Sequence, residues 1–120
     1  MDELKSVLQR FLAVDRVALA SVAGTDGLVI DSAGHQDELD AEAVGAVATN
    51  AIGAAQALSE EVTRGRLIQA MIEFERGVVI LEPISELGVL LVLTEDVSSM
   101  GRVRLVARRE RKALEQALTG

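Results

Sequence analysis

The chain has 120 residues, 49% of them hydrophobic and 26% charged, at a net charge of −7; this composition suits one folded domain and argues against disorder. It contains no cysteine, which excludes disulfides and thiol-based metal or redox sites, and its single histidine, His35, falls short of the several ligands zinc usually takes. Residues 1–97 carry 6 basic and 17 acidic side chains, whereas residues 98–120 carry 6 and 2; an acidic body disfavours nucleic acid, and the basic tail reads as a solvated helix face before it reads as a surface for an acidic partner or lipid headgroups.

The chain opens on MDELKSVLQRFLAVDRV, where Leu4, Val7, Leu8, Phe11 and Leu12 recur at helical spacing, so a short amphipathic helix is predicted over residues 2–12. Early acids and mixed charges do not make a secretion signal, and no apolar run approaches the roughly 20 residues that span a bilayer. A cytoplasmic location without an integral membrane segment is therefore expected. Two apolar runs follow, residues 17–22 and 28–32, around Gly24-Thr25-Asp26-Gly27. Glycine there supplies the positive φ of a tight turn, which predicts a β-hairpin. A phosphate loop would need a following Lys-Ser/Thr and a helix, and neither is present.

Asp37 and Asp40 are both credible N-caps for a long helix that Arg64-Gly65 closes. At 100° per residue, Val44, Val47, Ala48, Ala51, Ile52, Ala55, Leu58 and Val62 share one arc, the expected core face. A strand is predicted over residues 67–74, with Ile68, Ala70, Ile72 and Phe74 on one side and Leu67, Gln69, Met71 and Glu73 on the other. The runs VVILEPI and VLLVL are apolar on both sides and so belong at the centre of a sheet, with Pro83 marking where pairing stops. Asp96 or Ser98 caps a last helix whose apolar arc is Met100, Val103, Val106, Ala107, Ala113, Leu114, Ala117 and Leu118. Glu110 falls inside that arc and Leu105 outside it, against the pattern. The predicted class is α+β in the order αββαβββα. It comprises a five-stranded antiparallel sheet in one domain over residues 1–120, with helices on both faces.

The long helix raises a question of its own. Between Glu42 and Ser59 it holds no charge, and opposite the predicted core arc lie only Ala46, Thr49, Asn50, Gly53 and Ala57. Glycine inside a helix costs roughly 1 kcal/mol relative to alanine, and Gly45 and Gly53 both bear it. Small residues permit another backbone to approach closely, which predicts a homodimer with two such helices packed together. The strand at 67–74 is a second contact candidate, since Arg66 and Glu73 are its only charges after Gly65 and before Phe74 and so block an edge weakly. The expected interface therefore comprises Ala46, Thr49, Asn50, Gly53 and Ala57 on the helix with Gln69, Met71 and Glu73 on the strand.

The element order, the stretch ALASVAGTDGLVIDS before an Ala-rich helix, GRLIQAMIEFERGVVILEPI and GVLLVLTEDVSSMGRVRLVARR together resemble the roadblock/dynein light chain family, most closely its bacterial branch. The likeness covers nearly the whole chain and rests on the succession of patterns. It implies the long helix on one face of the sheet and the terminal helices on the other. It also implies dimers in which third strands pair and long helices lie side by side. Such proteins serve Ras-like small GTPases as activators or scaffolds.

The function this implies is a homodimeric, non-enzymatic regulator of a Ras-like GTPase that stimulates hydrolysis by ordering the GTPase's switch loops; the alternative is an adaptor linking a GTPase, sensor kinase or motor without affecting turnover. Arg64, Arg66 and Arg76 are candidates for an arginine supplied in trans, although ordinary surface arginines are the plainer reading. Glu73, Glu75 and Glu82 are close in sequence but lack the histidine, cysteine or convergent polar set that acid–base or nucleophilic chemistry needs. No catalytic residue, cofactor or metal is expected.

Overall fold

A computed structural model describes residues 2–34 and 39–119 and has the expected element order. The elements are α1 (Asp2–Leu12), β1 (Val17–Gly24), β2 (Val29–Gly34), α2 (Ala41–Glu61), β3 (Ala70–Phe74), β4 (Gly77–Ile84), β5 (Gly88–Thr94), a 3-10 turn (Val97–Ser99) and α3 (Met100–Thr119). His35 and the cap candidate Asp37 lie outside the described residues; Asp40 caps α2, its carboxylate accepting from the Glu42 and Ala43 N–H groups. The first hairpin closes as its glycines require. Gly27 sits at φ +87, its N–H donates to the Gly24 carbonyl at 3.0 Å, and Asp26 accepts from the Leu28 N–H at 3.0 Å.

All strand pairs are antiparallel, in the order β2-β1-β5-β4-β3. Three of the four pairings join sequence neighbours. The fourth, β1 with β5, brings Val22 opposite Leu90 and Ala20 opposite Val92. It places both chain halves in one sheet and puts β2 and β3 at the edges.

The two faces of the sheet are covered differently. On one, Leu4, Val7, Leu8 and Phe11 of α1 meet Met100, Val103, Ala107 and Leu114 of α3 over Val22, Ile80, Ile84, Leu90 and Val92. A fully buried side chain of this size contributes about 1.5–3 kcal/mol, and this is the larger core. The misplaced Glu110 finds its reason here: it pairs across the helix seam with Arg10 of α1. Leu105 is simply exposed. On the other face, α2 alone covers Leu19, Leu81, Val89 and Leu91, using Ala48 and Ile52.

Two expectations need correction. The third strand is shorter than predicted, since only Ala70–Phe74 pairs with β4. Continuing that register would set Ile68 opposite Pro83, which has no N–H to give. The long helix is also turned about its axis relative to the predicted arc. Gly45, Ala48 and Ile52 are its buried residues, while Val47, Leu58 and Val62, expected in the core, are exposed. The physical cause is Gly45. A Cβ there would stand 2.7 Å from Val29 Cγ2, so the absence of a side chain lets the helix settle onto β2 along its smallest residues.

Candidate functional site

The rotation of α2 makes its outer side more apolar than the sequence reading supposed. Ala46, Asn50, Gly53 and Ala57 are exposed, as expected for a contact surface, and a Cβ on Gly53 would meet nothing within 4 Å. Gly45 belongs to the sheet contact instead, so the cost of the two glycines has two different reasons. Thr49 is half-buried and its hydroxyl donates back to the Gly45 carbonyl at 3.0 Å. Beside this stripe stand Val47, Leu58 and Val62.

Those three sit on the same flank as Val44 and Ala51, which pack into the α2 core cluster with Ala70, Val79 and Leu93. The flank therefore faces the β3–β4 side of the sheet, where coverage runs out. Register places Ile72 and Phe74 on this face, opposite Val79 and Gly77, and both are exposed, Phe74 at 56%. Among the described residues eleven large apolar side chains are exposed, and five of them, Val47, Leu58, Val62, Ile72 and Phe74, lie on this side of the sheet. That concentration gives the helix flank and the edge strand an apolar character, and exposed apolar surfaces of this kind mark interaction sites.

The strand residues divide by face. Met71 and Glu73 are exposed on the α1/α3 side, opposite Ile80 and Val78. Gln69 precedes the strand and is half-buried beside the arginines of α3. Arg64 and Arg76 are exposed in loops, and Arg66 lines the same cavity as Gln69.

The three glutamates do not converge. Glu73 and Glu75 are exposed at the far end of β3, whereas Glu82 is buried on β4. Glu82 accepts from Arg111 Nη1 at 2.9 Å, and Nη2 of the same guanidinium donates to the Pro83 carbonyl at 3.1 Å. Burial pushes the Glu82 carboxyl above its ordinary value, and the Arg111 charge and hydrogen bond pull it part of the way back. Its Oε2 is buried without a hydrogen bond. This is a structural ion pair anchoring α3 to β4. Sequence reasoning missed it and the exposed helix flank. The available signals were one acid inside the apolar run of β4 and a line of small residues on α2.

No helix among the described residues is long and apolar enough to cross a membrane. Comparison with protein families matches residues 3–94 to the Roadblock/LC7 domain. The chain belongs to the Roadblock/LC7 family. Its sequence relatives include the uncharacterised proteins MJ0714 and MJ0310 of Methanocaldococcus jannaschii. MJ0714 is 40% identical over 103 residues, covering 86% of each chain, and MJ0310 is 42% identical over 88 residues, covering 73% of this chain and 75% of that one. Among solved structures, Myxococcus xanthus MglB superposes with a TM-score of 0.87 over 97% of this chain and 87% of that one, at 17% identity. An MglB structure described as having a tetrameric arrangement gives 0.89 at 17% identity, covering 98% and 89%. A Roadblock/LC7 domain from Streptomyces avermitilis gives 0.69 at 27% identity, covering 91% and 95%. The expected roadblock architecture is thus the observed one. The family match ends with β5, so α3 and its arginines lie beyond it.

Proposed function

We propose that this Roadblock/LC7 chain acts as a homodimeric regulator of a Ras-like small GTPase, stimulating GTP hydrolysis by holding the GTPase's switch loops in their reactive arrangement. The observation that carries the reading is the apolar exposure of both the α2 flank and the β3 edge in the single chain. Its chemistry suits contact with protein, since it offers no charge along α2 between Glu42 and Glu60. Pairing of β3 edges would satisfy their unpaired backbone groups, while α2 helices approach along Ala46, Asn50, Gly53 and Ala57. A partner stabilises switch loops only through differential affinity for one conformation, which requires a surface and no catalytic group. A GTPase partner would put the protein in the cytoplasm.

The test is GTP turnover by the cognate GTPase titrated with this protein. Hydrolysis should rise with concentration and saturate; a rate equal to intrinsic turnover at saturating complex would remove the activating role. Arg64→Ala and Arg76→Ala should leave the stimulation intact, because the loops are ordered by the surface and not by an arginine inserted in trans. Binding that is indifferent to the nucleotide would instead favour the adaptor role.

A further inference from the structure

On the α1/α3 side of the sheet, beside the start of β3, lies a cavity of about 300 Å³ whose polar lining is Arg66, Gln69, Glu82, Arg104, Arg108 and Arg111. Four guanidiniums share it with one carboxylate. Arg111 is committed to Glu82 at 2.9 Å and lies 3.8 Å from Glu115. Among the described residues, Arg66, Arg104 and Arg108 have no carboxylate within ion-pair distance. In a chain of net charge −7, this is an excess of positive charge gathered in one place. It lies next to the strand edge.

The dimer proposed above, on which this inference rests, fixes what stands opposite. If both α2 helices lie on the same side of a joined sheet, the two-fold axis is perpendicular to it, and paired residues share a face. Residue numbers across the junction then differ by an even number or coincide. Of the registers so allowed, the one centred on Ile72 alone pairs all five residues of β3. It sets Ala70 against the partner's Phe74 and Met71 against the partner's Glu73. One step beyond, Gln69 faces the partner's Glu75. Side chains directly opposite have Cβ atoms about 4.5–5.5 Å apart, well within the reach of an arginine.

We propose that the arginine cavity is an acceptor for the second copy's Glu75 carboxylate. The pocket is electrostatically incomplete in the single chain, and the dimer has two such pockets, one at each end of the β3 junction, each filled by one Glu75 of the other copy. The apolar face of the same strand pair is then buried between Ile72 residues and between Ala70 and Phe74, so the two faces of one junction divide the work. The ionic face fixes register and the apolar face supplies contact area, the usual division between charge and burial at interfaces.

The test uses the full chain with Glu75→Lys or Arg108→Glu, both at exposed positions, with dimer dissociation followed by sedimentation velocity. Each variant alone should dissociate at least about tenfold more readily than the unmodified chain, because Glu75→Lys sets a cation against the guanidiniums of both pockets and Arg108→Glu sets a carboxylate against Glu75 in both. Mixing the two variants should restore association to within a few-fold, since the mixed dimer contains one native pocket and one reversed but complementary pocket. Two variants that dimerise as the unmodified chain does would overturn the pocket assignment and leave the dimer standing. Weakening without recovery on mixing would overturn it too. An unmodified chain that never dimerises would remove the dimer reading and this inference with it.

Discussion

Phe11 and Phe74 are the only aromatic residues in the chain, and they have opposite fates. Phe11 is completely buried between α1, α3 and the sheet, whereas Phe74 is 56% exposed at the end of an edge strand. The core of the α1/α3 face is covered by two helices joined across their seam by the Arg10–Glu110 pair. The α2/β3 face is covered by one helix laid along its smallest residues, leaving a flank and a strand edge bare. One sheet thus has a side whose apolar residues are largely buried and a side that leaves several of them exposed.

The contrast predicts effects of different kinds. Phe11→Ala should cost about 3–5 kcal/mol, read as a lower denaturant midpoint. Phe74→Ala should leave the unfolding free energy of the monomer within about 0.5 kcal/mol while weakening self-association. Equal losses from the two substitutions would erase the distinction between the faces. Next in size is Arg111→Ala, which strands the buried Glu82 carboxylate and should cost about 1.5–3 kcal/mol. Glu82→Gln in the same background should recover much of that.

Within α2, the two glycines separate the faces again. Gly53→Ala meets open space and should raise the stability of the monomer by up to about 1 kcal/mol. Gly45→Ala drives a methyl group against Val29 and should destabilise despite the same gain in helix propensity. A matching gain at both positions would mean that α2 does not rest on β2 through Gly45. The smallest effect is in pH dependence. The Glu82 pKa is raised in the folded chain, so the native state binds more protons than the unfolded one across the carboxylate range. Its contribution is greatest below the ordinary glutamate value and falls as pH rises through the folded one. Glu82→Gln should flatten that part of the stability profile, measured by thermal unfolding between pH 4 and 7 (about the carboxylate range and above).

Much of the architecture could be read from periodicity alone. The helix stripes of α1 and α3, the glycine turn of the first hairpin and the doubly apolar runs of β4 and β5 each have one physical solution. The pairing of β1 with β5 is different, because an apolar run does not name its neighbour. The orientation of α2 was hidden for a related reason. Val47, Leu58 and Val62 are as apolar as Ile52, so a hydrophobic arc points to the wrong side when the helix is apolar nearly all round. Closest approach is set by the absence of a side chain at Gly45, which such an arc does not weigh. The exposed stripe of Ala46, Asn50, Gly53 and Ala57 was visible, whereas the larger apolar groups beside it were assigned to the core. Arg66, Arg104 and Arg108 come together only through tertiary contact and leave no pattern along the chain.

The central claim is that the open face is closed by a second copy of the chain, and molar mass in solution by light scattering tests it most directly. The account predicts twice the single-chain mass of 12.7 kDa at micromolar concentration (about the range of ordinary association), falling to the single-chain value for Gly53→Asp. A mass of 12.7 kDa for the unmodified chain at every concentration would contradict it.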